Sequence, residues 1–150
     1  MTASDSPRII RVAAALLVRA DGFTLVVRKR GTTAFLQPGG KPEPGESPEA
    51  ALRRELSEEL HIAGSLGEPM PIGQFSAPAA NEAGAVVVAD LFRLDVSGEV
   101  TPQAEIEEIR WIDPVAPGSI ELAPLTRDEV LQALLRVKEQ GRQRLDRPRE

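Results

Sequence analysis

The sequence predicts an α/β fold in a single domain. Three observations carry that expectation. Aliphatic and β-branched runs of strand length are separated by Gly- and Pro-bearing turns, and two segments place apolar residues at helical spacing. The chain of 150 residues is long enough to bury one core and short for two.

Ile9–Val18 is a mostly apolar run and Phe23–Arg28 is rich in strand formers; Ala20-Asp21-Gly22 between them predicts a hairpin. Gly31–Leu36 reads as a loop. Pro38-Gly39-Gly40, followed by Pro42, Pro44 and Gly45, marks a backbone shaped for a purpose other than regular structure. Ser47-Pro48-Glu49 then opens a helix: the serine caps free amides, proline suits the first turn, and the glutamate suits the positive end of the dipole. That helix is expected over Pro48–Leu60, with Leu52, Leu56 and Leu60 at i, i+4, i+8 and Ala51 widening the stripe that faces a core. A strand is expected near Ile72–Ser76, a loop through Pro78 and Asn81–Gly84, and further strands over Ala85–Leu94 and Ile106–Ile112. Leucines and valines at helical spacing predict a second helix, Leu125–Gln140, and Gln143–Glu150 reads as a charged tail. The ordered body is thus expected over about residues 9–140, between short polar tails, with no repeat or linker dividing it.

Composition narrows the chemistry. The formal net charge is −5, which argues against a partner recognised through a nucleic-acid backbone by charge alone. No apolar run approaches the roughly 20 residues that span a bilayer. Met1–Arg11 lacks a charged segment leading into an apolar stretch with a cleavage-like site, so the cytoplasm is the expected location. The absence of cysteine excludes disulfides, thiolate nucleophiles and iron–sulfur clusters, and the single histidine, His61, excludes a multi-histidine metal site. Carboxylates, hydroxyls, backbone amides and arginines remain. That set suits hard cations such as Mg²⁺ or Mn²⁺.

Glu55, Glu58 and Glu59 stand at i, i+3, i+4, which on a helix places three carboxylates on one face. Like charges there repel unless something positive lies among them. A divalent cation would supply that charge; Arg54, four residues before Glu58, would offset part of it, as would a bond from Arg54 back to Glu46. Taken alone, three glutamates read first as a solvated helix face. The preceding turn favours the cation, because Gly39-Gly40 lets backbone approach a ligand or offer it a carbonyl.

Gly40, five residues, Glu46, seven residues, then Arg54-Glu55-Leu56-Ser57-Glu58-Glu59-Leu60-His61-Ile62 resembles the signature box of the Nudix hydrolases. The resemblance spans 23 residues and departs at one position, His61, where the family has glycine. It implies an α/β/α sandwich with a mixed sheet, one helix on each face. It also implies hydrolysis of a diphosphate linked to another moiety, with Mg²⁺ or Mn²⁺. The implied metal ligands are Glu55, Glu58, Glu59 and the Gly39 carbonyl, with Arg54 positioning the glutamates and Glu46 orienting Arg54. Glu105, six residues before Trp111, is placed like a downstream metal-binding or catalytic glutamate of the MutT-like branch. At His61 the family's glycine implies a left-handed turn after the helix, where a C-cap histidine is the expected substitute.

The rest of the chain says less about substrate. Arg28, Lys29 and Arg30 precede the Gly-rich turn; strand alternation puts Arg28 and Arg30 on one face, and these two are the expected phosphate contacts. Phe35 or Phe75 would supply a stacking platform, Phe92 and Trp111 belong to the core, and Gly40 and Lys41 are expected at the substrate. Asn81 and Glu82 read first as turn residues. The Gln37–Lys41 turn with Pro44-Gly45-Glu46 is most similar to MutT-type enzymes acting on nucleoside di- or triphosphates. The alternatives are hydrolysis of ADP-ribose, nucleotide sugars or dinucleoside polyphosphates, and a non-catalytic nucleotide-binding module of the same fold. Homodimers occur in the family, although no stretch of this sequence marks an interface.

Overall fold

The structure, a computed structural model, describes residues 6–136. Strands β1 (Arg8–Val18), β2 (Thr24–Lys29), β3 (Gly39–Gly40), β5 (Met70–Pro78), β6 (Ala85–Asp95) and β8 (Ile106–Ile112) form one mixed sheet in the order β5-β6-β1-β2-β8, with β3 against β1. β4 (Leu60–Ile62) and β7 (Val100–Pro102) pair separately. Helix α1 is Pro48–Glu59, and α2 opens with a π-helical stretch, Leu125–Val130, and continues as α-helix through residue 136. The expected end of α2 near Gln140 and the tail Gln143–Glu150 lie outside the described residues, as do residues 1–5. No helix among the described residues is long and apolar enough to cross a membrane.

Alternation along β1 decides the layering. Ala13, Ala15 and Leu17 face α1 and pack with Leu52, Leu56, Leu25 and Leu94; Ala14, Leu16 and Val18 face α2 and pack with Leu91, Val130 and Leu134. Both faces of β1 are covered, which is why it reads as a continuous apolar run, and it pairs in parallel with β6 along its whole length. The result is the expected α/β/α sandwich with a mixed sheet.

The predicted hairpin forms and then opens. β1 and β2 pair directly at Val18↔Thr24. Farther from the turn the 36–40 segment fills the gap between them: Leu36 bridges to Val27, Ala15 N–H donates to Pro38 O at 2.9 Å, and Gly39–Gly40 pair with Ala13–Ala14. Gly39 takes a positive φ of 147° against the Ala13 carbonyl, where a side chain would overlap backbone.

The left-handed turn expected at His61 is not formed. Leu60 leaves the helix in extended conformation, φ −135° and ψ 144°, and His61 is an exposed residue of β4 opposite Thr101. Pairing with β7 keeps the chain extended there, so a side chain is accommodated where the family pattern has glycine.

Candidate active site

Ser47 caps α1 by accepting from Ala50 N–H at 3.1 Å, and Leu52 and Leu56 bury one side of the helix in the core. This fixes the rotation of α1 and brings Glu55 and Glu59, one turn apart, toward the Gly39–Gly40 strand. Glu59 is only 2% exposed, and its Oε1 accepts from Gly39 N–H at 3.0 Å. Glu55 lies so close to Gly40 that a Cβ there would overlap its carboxyl group. Glu58 points to the outer side, 56% exposed, 3.6 Å from Arg54.

Arg54 ties the approach loop to the helix. Its Nε and Nη2 donate to Glu46 Oε2 and Oε1 at 2.9 and 2.8 Å, Nη2 reaches the Lys41 carbonyl at 3.2 Å, and Nη1 donates to Glu55 Oε1 at 2.9 Å. The Arg54 fork, with the Glu43 N–H, holds the Glu46 carboxyl down at about 2.

Glu105 enters from the β7–β8 turn. Ala104 before it adopts φ 52°, and the backbone closes by Gln103 N–H donating to Glu59 O and Arg30 N–H to Glu105 O, both at 2.8 Å. Lys29 Nζ lies 3.6 Å from Glu105 Oε1. Burial pushes the Glu59 carboxyl up to about 7; the Gly39 N–H and Lys29 pull against this, while the charges of Glu55 and Glu105 add to it.

Glu55, Glu105, Lys29, Lys41, Gly39 and Gly40 line one end of a cleft of about 460 Å³. Among the described residues no three carboxylate or imidazole groups converge into a ready cation cage. Glu55 is turned toward Arg54, Glu58 toward solvent and Glu59 toward Gly39. Yet Glu59 Oε2 is buried without a partner, and a buried carboxylate oxygen with no counter-charge is costly. An all-oxygen set with an unpaired, desolvated member fits a hard divalent cation.

β2 ends at Lys29, with a register shift against β8 between Arg28 and Lys29, so Arg30 lies beyond the strand, and of the three basic residues it is Lys29 that lines the cleft. Arg28 bonds the Thr32 carbonyl at 2.9 Å and Glu108 at 3.3 Å, and Arg30 pairs with Glu107 at 3.1 Å, so both expected phosphate contacts are committed elsewhere. Phe35 is not an exposed platform either: 5% exposed, it packs with Val26, Ile112, Leu122 and Leu131 on the α2 side. Phe75 is half-buried against the β1–α2 core, Phe92 is buried beside α1, and Trp111 packs against that core under the Arg19 guanidinium at 4.7 Å. Asn81 and Glu82 form the β5–β6 turn and also line the cleft. Besides Lys29 and the apolar lining, two polar cleft residues escaped the sequence reading, Gln37 and Thr126. A glutamine beside a Gly-Gly turn and a threonine next to Leu125 at the start of an amphipathic helix were the signals available.

The NUDIX domain family model matches residues 8–134. A Haemophilus influenzae protein named 8-oxo-dGTP diphosphatase is 37% identical over 75 residues, 47% of this chain and 55% of that protein. The chain thus spans about half the length of this curated relative. The solution structure of the E. coli ORF135 protein is 27% identical with a TM-score of 0.66, covering 88% of this chain and 92% of that one. The MutT NUDIX hydrolase from Burkholderia pseudomallei is 25% identical with a TM-score of 0.68, covering 87% and 98%.

Proposed function

The chain belongs to the Nudix family, and on that premise we propose that it hydrolyses nucleoside diphosphate-linked compounds with Mg²⁺ or Mn²⁺, most specifically nucleoside tri- or diphosphates in the manner of MutT-like pyrophosphohydrolases. The observation that carries this reading is Glu59: a buried carboxylate, one oxygen unpartnered, held behind the cleft-lining Gly39 and coupled to the charges of Glu55 and Glu105, which line the cleft. A surface helix has no reason to bury such a group, whereas a cation site does.

Glu55, Glu58, Glu59 and Glu105, with the Gly39 carbonyl, would hold the cation. When bound, it supplies neutralisation of the phosphate charge and acidifies water for attack on phosphorus. The chain's own residues set the stage. Gly40 leaves room for the Glu55 carboxyl, Arg54 holds Glu55 and the 41–46 loop together through Glu46, and Lys29 and Lys41 offer positive charge to the phosphates. Glu105, on the β7–β8 turn with Lys29 Nζ 3.6 Å from its carboxyl, would serve either as a cation ligand or as the group that takes a proton from the attacking water.

Phosphate or pyrophosphate release is measured from nucleoside triphosphates, 8-oxo-dGTP, ADP-ribose, nucleotide sugars and dinucleoside polyphosphates, with Mg²⁺, Mn²⁺ or EDTA. Metal-dependent cleavage of a nucleoside tri- or diphosphate is expected, falling about 100-fold or more in Glu55→Gln and Glu59→Gln variants that keep their fold. Nucleotide binding without cleavage of any compound would instead make this a binding module.

A further inference from the structure

The end of the cleft away from the carboxylates is built differently. Ile10 and Val12 of β1, Val87 of β6 and Leu125 of α2 make it largely apolar, and among the described residues no aromatic side chain lines the cleft. Set into this wall is a pair of polar residues, Gln37 and Thr126, 4% and 0% exposed. Thr126 Oγ1 donates to Gln37 Oε1 at 2.7 Å. That bond orients the carboxamide and leaves its other edge as a donor, and Gln37 Nε2 is buried with no acceptor. A buried N–H pair in apolar surroundings is unfavourable until an acceptor arrives.

We propose that Gln37 is a specificity-determining residue, donating from Nε2 to a ring carbonyl of a flat heterocycle seated in the apolar end, with Thr126 as its positioning residue. The inference rests on the hydrolase reading above and names the substrate class more closely. Gln37 stands two residues before Gly39, so a group attached to phosphates held at Gly39–Gly40 lies within its reach. The occupant follows from what the wall offers. A sugar presents several hydroxyls, each needing partners, whereas a largely apolar wall whose one buried donor lacks an acceptor suits a planar ring carrying an acceptor-only oxygen, with Asn81 and Glu82 of the 78–82 loop the other polar groups of that lining. An amino group at the same position would set donor against donor. Compounds with a keto edge are therefore preferred over their amino counterparts.

ITP and ATP carry a keto and an amino group at the same ring position. The native protein is expected to show kcat/KM for ITP at least about tenfold above ATP with Mg²⁺, a ratio that falls to about threefold or less in Gln37→Leu. Thr126→Val keeps both the side-chain volume and Gln37 but frees the carboxamide to turn over, and it is expected to flatten the ratio too. Dissociation constants for ITP and ATP measured in EDTA follow the same order, independently of turnover. The inference is overturned if the native protein does not prefer ITP, or if both folded variants keep the native ratio, as they would were Nε2 serving only an internal water. Failure to cleave any anhydride with any metal would overturn the hydrolase reading itself, a result distinct from cleavage without discrimination.

Discussion

Arg54 forks across both oxygens of Glu46, and the same guanidinium reaches Glu55, so one side chain couples the loop before α1 to the cleft. The Glu46 carboxyl, held at about 2 in the folded protein against an ordinary 4.5, contributes stability that is present above pH 4.5 and lost as the pH falls through about 2. Melting temperatures of the native protein and Glu46→Gln are therefore expected to differ near neutral pH and to converge as the pH is lowered from about 5 to 2. A gap that stays constant over that range would deny the pair this role. Spacing alone put Glu55 and Glu59 on one helix face, because a helix brings i and i+4 together, and it took the Gly39-Gly40 turn and the resemblance of the whole 40–62 stretch to give them and Arg54 a candidate role. The side chains that line the cleft from strands and loops were not. Alternation separates Lys29 from Arg28, but where the strand ends, and which of its two faces meets the cleft, depends on the sheet's partners. Phe35 entered the core because the Ala123 N–H and Glu121 carbonyl pair with its backbone, a contact between residues far apart in sequence.

The short strand β3 makes the site possible by occupying the opening between β1 and β2. Its two glycines do different work, and alanine separates them. Gly39→Ala would drive a Cβ into Ala13 backbone at a positive φ, and is expected to destabilise the fold by about 1–3 kcal/mol. Gly40→Ala meets first the Glu55 side chain from Cγ to Oε1, a flexible group that can swing aside, so thermal stability changes little while turnover falls, since the displaced group is Glu55 itself. Equal losses of stability in the two variants would contradict this division. Leu52→Ala, wholly buried between α1 and the sheet, is expected to cost about 2–5 kcal/mol in denaturant unfolding. The long strands and α1 were readable because their periodicity and caps are local. β3, β4 and β7 are two or three residues each and are held by their partners, so no local pattern announces them. The extended exit at His61 has the same origin: pairing with Thr101 outweighs the turn that a glycine at this position would imply.

Across the whole molecule, β1 carries the design. One face packs against α1, the other against α2, and its far end supplies the apolar wall of the cleft through Ile10 and Val12. The cleft thus has a carboxylate end beside α1 and an apolar end beside α2, and a compound with phosphates at one end and a ring at the other matches both. The sequence made the sandwich and the acidic end visible, while the apolar end is assembled from β1, β6, the 78–82 loop and α2 and exists only in three dimensions. The hydrolase reading depends on Glu59 and its neighbours binding a divalent cation. Isothermal titration of Mn²⁺ into the metal-free protein, beside Glu59→Gln, tests it without reference to substrate. Saturable binding to the native protein, weakened about tenfold or more by Glu59→Gln, is the expected result. Equal affinity in the two proteins, or no binding to either, would contradict it.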